Sequence, residues 1–132
     1  MAYAFFEGEI VPIDQAKVSV RTQALHYGTS CFAGIRGYWN DEGDQLFVFR
    51  ILDHYRRFLD SAKLLRMSLP HSVEDLADIT VRLLRQEGYR EDVYIRPLGY
   101  KASEGIGCRL PGLLVEAERV AAVGAVARRA GG

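Results

Sequence analysis

Several things are scarce in these 132 residues, and each scarcity closes off a class of protein. No apolar run approaches the ~20 residues that span a bilayer. The opening Met-Ala-Tyr-Ala-Phe-Phe-Glu has no basic stretch and meets an acid by Glu7, which argues against a signal peptide. Only Cys31 and Cys108 are present, with no CxxC and no clustering with the three histidines. A disulfide framework or a structural zinc site is not expected, and the cytoplasm is the default location. Net charge is missing too: seventeen Lys+Arg balance seventeen Asp+Glu. A general nucleic-acid or anionic-membrane binder needs a basic excess to hold phosphates. Zero net charge also leaves little self-repulsion, so self-association comes easily. Lysine is confined to Lys17, Lys63 and Lys101. Aromatic residues stop altogether: all fourteen lie in the first hundred positions and the rest of the chain has none.

What remains is an ordinary globular composition, 48% apolar and 26% charged, in a length that suits one domain and one core. Tyr3 to Pro12 predicts two short strands around a Glu7-Gly8 turn. Lys17 to Val20 alternates and predicts another extended stretch, followed by a polar turn at Arg21 to Gln23. Cys31 to Trp39 predicts one strand whose glycines mark bulges or close backbone approach. Asn40 to Asp44 is a turn, and Gln45 to Arg50 the returning strand. Apolar residues then recur at helical spacing over Leu52 to Arg66. A second helix starts at the N-cap Ser72, with Glu74 and Asp75 in its first turn, and ends at Gly88. Asp92 to Tyr100 is strand-like again. Strands, two consecutive helices and a further strand predict an α+β fold with a mainly antiparallel sheet. Leu113 to Ala130 is rich in Ala, Val and Arg and admits a helix, without one clean apolar stripe.

Common catalytic signatures are missing. There is no HExxH, no phosphate loop, no serine elbow and no complete GxGxxG. His26 and His54 read as packing or turn histidines. Polar groups embedded in apolar segments stand out instead. Tyr94-Ile95-Arg96 puts a phenol and a guanidinium two apart, on one face of a strand. A buried arginine needs an anion. Two partners fit: a carboxylate of the chain in a salt bridge, or the carboxylate of a ligand held by Arg96 and Tyr94 together. Arg56 and Arg57 stand about 100° apart on a helix, so one of them is expected to flank the buried face. There it either snorkels to water or anchors an anion such as a phosphate.

The run Leu25-His26-Tyr27-Gly28-Thr29-Ser30-Cys31-Phe32-Ala33-Gly34-Ile35-Arg36 resembles the (A/V)LHYGxxxFEGIR signature of branched-chain amino acid aminotransferases, fold-type IV pyridoxal-phosphate enzymes. The likeness continues through His54-x-x-Arg57 with Asp60-Ser61-Ala62-Lys63, and through Tyr94-Ile95-Arg96-Pro97-Leu98. It covers about Phe5 to Gly107, the family's small N-terminal domain, and leaves 108–132 as an atypical tail. The resemblance implies that Arg57 grips the phosphate of pyridoxal 5'-phosphate. It implies that Tyr94 and Arg96 help bind substrate carboxylates and that Tyr27 reaches across a dimer interface into the neighbouring pocket. Phe32 and Gly34 would line the pocket for the aliphatic side chain, and Arg36 closes the motif. The complete enzyme would exchange an amino group between branched-chain amino acids and glutamate/2-oxoglutarate, as a homo-oligomer.

Two departures qualify this. Ala33 stands where the motif has glutamate. The family's Schiff-base lysine lies in a large C-terminal domain, and none of Lys17, Lys63 and Lys101 sits in a matching motif, so no catalytic lysine is assigned. Without that lysine the isolated chain is expected to be inactive. The aromatic-free ending suggests a truncated or frame-disrupted product, with a natural one-domain relative as the alternative. Rival functions are a D-amino acid aminotransferase, an aminodeoxychorismate lyase, or a non-catalytic binding or dimerisation module.

Overall fold

A computed structural model describes residues 3–104 and the backbone of 118–127. Its elements are β1 (Tyr3–Phe6), β2 (Glu9–Pro12), α1 (Gln23–Tyr27), β3 (Ser30–Phe32), β4 (Ile35–Asn40), β5 (Gln45–Val48), α2 (Ile51–Leu64), α3 (Val73–Glu87), β6 (Val93–Lys101) and β7 (Glu118–Ala127). The expected α+β class is present. The strands form one sheet in the order β2-β1-β7-β6-β4-β5, with β3 also on β6, and every pairing is antiparallel.

Local chemistry explains most of these elements. Glu7 and Gly8 both take positive φ, +51° and +93°, which is the tight turn that suits the twist of a two-residue hairpin. The α3 helix starts in a reciprocal capping box: the Ser72 side chain accepts from the Asp75 N–H, and the Asp75 carboxylate accepts from the Ser72 N–H. Those hydrogen bonds hold the Asp75 pKa below its ordinary value. Gly88 closes the helix in the left-handed conformation, at φ +67°.

The interval from 30 to 40 departs from the single strand expected. It divides into β3 and β4, yet both keep one register against β6, since Phe32 faces Leu98 and Ile35 faces Ile95. The cause is Pro97. Ala33 N–H donates to the Pro97 carbonyl at 3.1 Å, but Pro97 has no N–H to return the bond, so the ladder lapses for two residues. Two further expectations are corrected. Lys17 to Val20 forms no strand; Thr22 N–H donates to the Ser19 carbonyl and turns the chain instead. The polar turn at Arg21 to Gln23 leads directly into the short helix α1. Within the stretch that admitted a helix, residues 118–127 form a strand, β7, between β1 and β6. The 107/108 boundary lies outside the described residues.

The sheet has two unlike faces. Cys31, Ala33, Ile35, Val93 and Ile95 face α2 and α3, where Tyr55, Phe58, Leu76 and Leu84 complete the core. Thr80 donates its hydroxyl to the Leu76 carbonyl at 2.8 Å, which leaves Tyr55 to donate to Thr80 Oγ1 at 2.5 Å. Burial pushes the Tyr55 phenol pKa up. On the other face, the segment 13–25 closes over Ala4 and Phe6, around an apolar cavity of about 260 Å³. Beyond it no described element covers that face, the open face of the sheet.

Candidate functional site

Alternation decides what the open face carries. Arg36 is directly opposite Tyr94 and Phe32 opposite Leu98, so Phe32, Gly34, Arg36, Tyr94 and Arg96 share one side. The core-facing set, Cys31, Ala33, Ile35, Val93 and Ile95, takes the other. Two side chains of the same strand two residues apart, Tyr94 and Arg96, do project together as their spacing requires.

Contacts tighten the cluster. A Cβ placed on Gly34 would stand 2.5 Å from the Tyr94 hydroxyl oxygen and 3.1 Å from Tyr94 Cε2 and Cζ, so the phenol lies across the bare glycine backbone. The Arg96 guanidinium carbon sits 3.9 Å from the centroid of Phe32 and 5.2 Å from that of Tyr94. Arg96 is half-buried, and among the described residues it is in no ion pair. No described carboxylate forms the internal salt bridge considered for it. Pairing between β6 and β7 slips by one residue between Tyr94 and Arg96, so β7 carries an extra residue there. A bulge of this kind bends a strand and re-aims its side chains.

Arg57 stands apart from this cluster. It lies on α2, whose Tyr55, Phe58 and Ala62 pack against the opposite face of the sheet. The expectation that Arg56 or Arg57 flanks the buried face is corrected. The apolar stripe is narrow, and both arginines point to solvent. Arg56 is held by Asp53 at 2.9 Å. Arg57 has no carboxylate among the ion pairs of the described residues, and its Nη2 is 3.5 Å from His54 Nδ1, at the limit of a hydrogen bond. Burial, then the charges of Arg57 and Arg50, lower the His54 pKa. An exposed guanidinium in no ion pair among the described residues is a chemically fitting anchor for a phosphate.

Tyr27 ends α1 and is 40% exposed, next to His26, whose Nε2 is hydrogen-bonded to the Val20 carbonyl at 2.8 Å. Gly28 caps that helix at φ +66°, which explains a glycine after Tyr27. Sequence reasoning missed the continuation of the open face. Tyr38 opposes Phe47, and Phe49 donates its N–H to the Arg36 carbonyl, so three exposed aromatics extend the cluster. Alternation in β4 and β5 carried that signal. The lysines do not join it. Lys63 pairs with Asp60 on α2 at 3.8 Å, Lys101 alternates to the helix-covered face, and Lys17 is exposed in the loop after the first hairpin. No described helix is long and apolar enough to cross a membrane.

No family model matches the chain. The probable branched-chain-amino-acid aminotransferase of Aquifex aeolicus is 51% identical over 100 residues, 76% of this chain and 32% of that protein. The branched-chain aminotransferase of Thermoproteus uzoniensis with norvaline superposes with a TM-score of 0.85 at 37% identity, covering 95% of this chain and 40% of that one. The branched-chain amino acid aminotransferase of Thermobaculum terrenum, in its PLP-form, gives 0.75 at 31% identity, over 91% and 38%.

Fold and open face together place this chain in the class of fold-type IV aminotransferases, as a counterpart of their N-terminal part. Within that class it belongs with the branched-chain aminotransferases. It spans about a third of the length of the curated relatives it matches.

Proposed function

We propose that this chain supplies the substrate-facing N-terminal part of a branched-chain amino acid aminotransferase. The complete protein would pass an amino group between leucine, isoleucine or valine and 2-oxoglutarate. One observation carries this: Arg96, in no ion pair among the described residues, is held beside Tyr94 and Phe32 on a largely apolar sheet face. Such a face gives an aliphatic side chain a wall and gives a second carboxylate a charge. Gly34 is assigned to that wall through Tyr94, whose phenol lies across its bare backbone, and Arg36 adds positive potential beside Tyr94. Tyr27 is assigned to the pocket of a neighbouring copy in a homo-oligomer, which the exposed Tyr38, Phe47 and Phe49 support as a surface needing cover. The cytoplasm is the proposed location, supported by the free thiol of Cys31.

Pyridoxal 5'-phosphate, when bound, supplies the electron sink for amino transfer. Arg57 is assigned to its phosphate. In a version completed with the remaining two thirds of a relative, Arg57→Ala should lower cofactor affinity about ten- to hundredfold, the equivalent of about 1.5–3 kcal/mol. Arg56→Ala, which loses only an exposed pair with Asp53, should leave it nearly unchanged. His54 reports the same event by proton NMR. Its pKa lies below the ordinary histidine value, so between the two the unfolded chain binds more protons and stability rises with pH. A phosphate on Arg57 offsets the positive charge and should move the His54 pKa upward; an unmoved titration counts against Arg57.

The substrate assignment rests on Arg96→Leu in the same completed form. Turnover of glutamate and 2-oxoglutarate should fall well below turnover of leucine, because only the former bring a second carboxylate. Equal losses in both half-reactions would make Arg96 a structural residue.

A further inference from the structure

We propose that Phe32 is a positioning residue for Arg96: its ring holds the guanidinium by one face and leaves the in-plane N–H donors for a carboxylate. The proposal rests on the dicarboxylate reading of the open face given above and adds what orients the arginine there.

The geometry has three parts. Arg96 is directly opposite Gly34, between β3 and β4, and Phe32 is the diagonal neighbour on β3. Diagonal pairs are within reach of long side chains, and an absent side chain at 34 lets Arg96 lean toward Phe32 while Tyr94 lies over Gly34. The guanidinium carbon is 3.9 Å from the Phe32 centroid, the spacing of a group stacked on a ring, against 5.2 Å for Tyr94. Phe32 is 59% exposed although it is a large apolar side chain, so it is not held in place by core packing.

Chemistry then separates two uses of one guanidinium. Its five N–H bonds lie in the plane and bind carboxylates edge-on, while its faces have no donors. An aromatic ring attracts the face through its quadrupole. Stacking on Phe32 therefore consumes no hydrogen-bond donor. It does remove rotamer freedom from a long side chain before the ligand arrives, so less is lost on binding. Phe32 accordingly acts twice, as apolar wall for an aliphatic substrate and as rest for the arginine that meets an acidic one.

The test uses the 132-residue chain itself, labelled with 15N-arginine, and glutarate as the dicarboxylate probe. A proton over an aromatic face is shielded, so the Arg96 Nε–H signal should lie upfield of the other arginines. It should move downfield in Phe32→Leu, which keeps bulk and removes the ring, and stay in Phe32→Tyr, which keeps the ring. Glutarate should perturb the same signal, with affinity about three- to tenfold weaker in Phe32→Leu and restored in Phe32→Tyr. An unshielded Arg96, or equal glutarate affinity in all three chains, overturns the proposal. A shielded Arg96 that ignores glutarate even in the native chain overturns the dicarboxylate reading and not the stacking.

Discussion

The 132-residue chain alone should give no 2-oxoglutarate-dependent conversion of leucine above the slow reaction of free pyridoxal phosphate. Transamination by this chemistry needs a lysine amine within covalent reach of the cofactor, both to hold it and to move the substrate α-proton. The chain has three lysines, and none meets that need. Lys63 is exposed and paired with Asp60 on α2, Lys101 points by strand alternation to the face opposite Tyr94 and Arg96, and Lys17 is solvated in a loop. The difference expected is many orders of magnitude in rate, so the comparison must be made against cofactor alone. Turnover above that background, with a pyridoxyl adduct fixed by borohydride on one of the three, would refute the assignment.

Phe58→Ala should remove much of the stability of the fold. Phe58 is 1% exposed and meets Tyr55 edge-on at 6.1 Å between centroids. Its Cζ would be 3.2 Å from a Cβ on Gly99, so the ring seats α2 on the bare backbone of β6. Truncation leaves a cavity between two rigid elements that cannot close on it. The expected loss is about 3–5 kcal/mol, against a total of about 5–15 for a domain. Urea denaturation followed by circular dichroism reads it; a loss under about 1 kcal/mol would mean that α2 is not seated as described. Because Arg57 precedes Phe58 on α2, loosening this seat also displaces the proposed phosphate anchor.

Elements that announce themselves locally are legible in the amino-acid sequence alone. The α2 and α3 periodicity, the Ser72 N-cap, Gly88 and the Glu7-Gly8 turn each depend on neighbours within a few residues, and each stands where the pattern puts it. Tyr94 and Arg96 sharing a face follows from strand alternation alone. What escapes depends on partners remote in sequence. Phe5 pairs with Ala122, and nothing near 118–127 reveals that an Ala/Val-rich stretch finds a sheet rather than a helix. The break between β3 and β4 comes from the missing N–H of Pro97 on the facing strand, not from the glycines alone. Five-residue α1 is too short to show a period. Helical angle alone puts Arg56 or Arg57 beside the core, but Tyr55, Phe58 and Ala62 leave the buried stripe too narrow for either.

One measurement bears most directly on the central claim, that this chain carries the substrate half of a branched-chain aminotransferase site. Residues 3–101 should replace the corresponding region of the Aquifex aeolicus relative, which is 51% identical over 100 residues and supplies the rest of the protein. Leucine and 2-oxoglutarate are then the substrates, with the unaltered relative as reference. Turnover within about tenfold of that reference is predicted, and Arg96→Leu in the chimera should selectively weaken the 2-oxoglutarate half-reaction. A chimera that folds and binds pyridoxal phosphate but transfers no amino group would contradict the account.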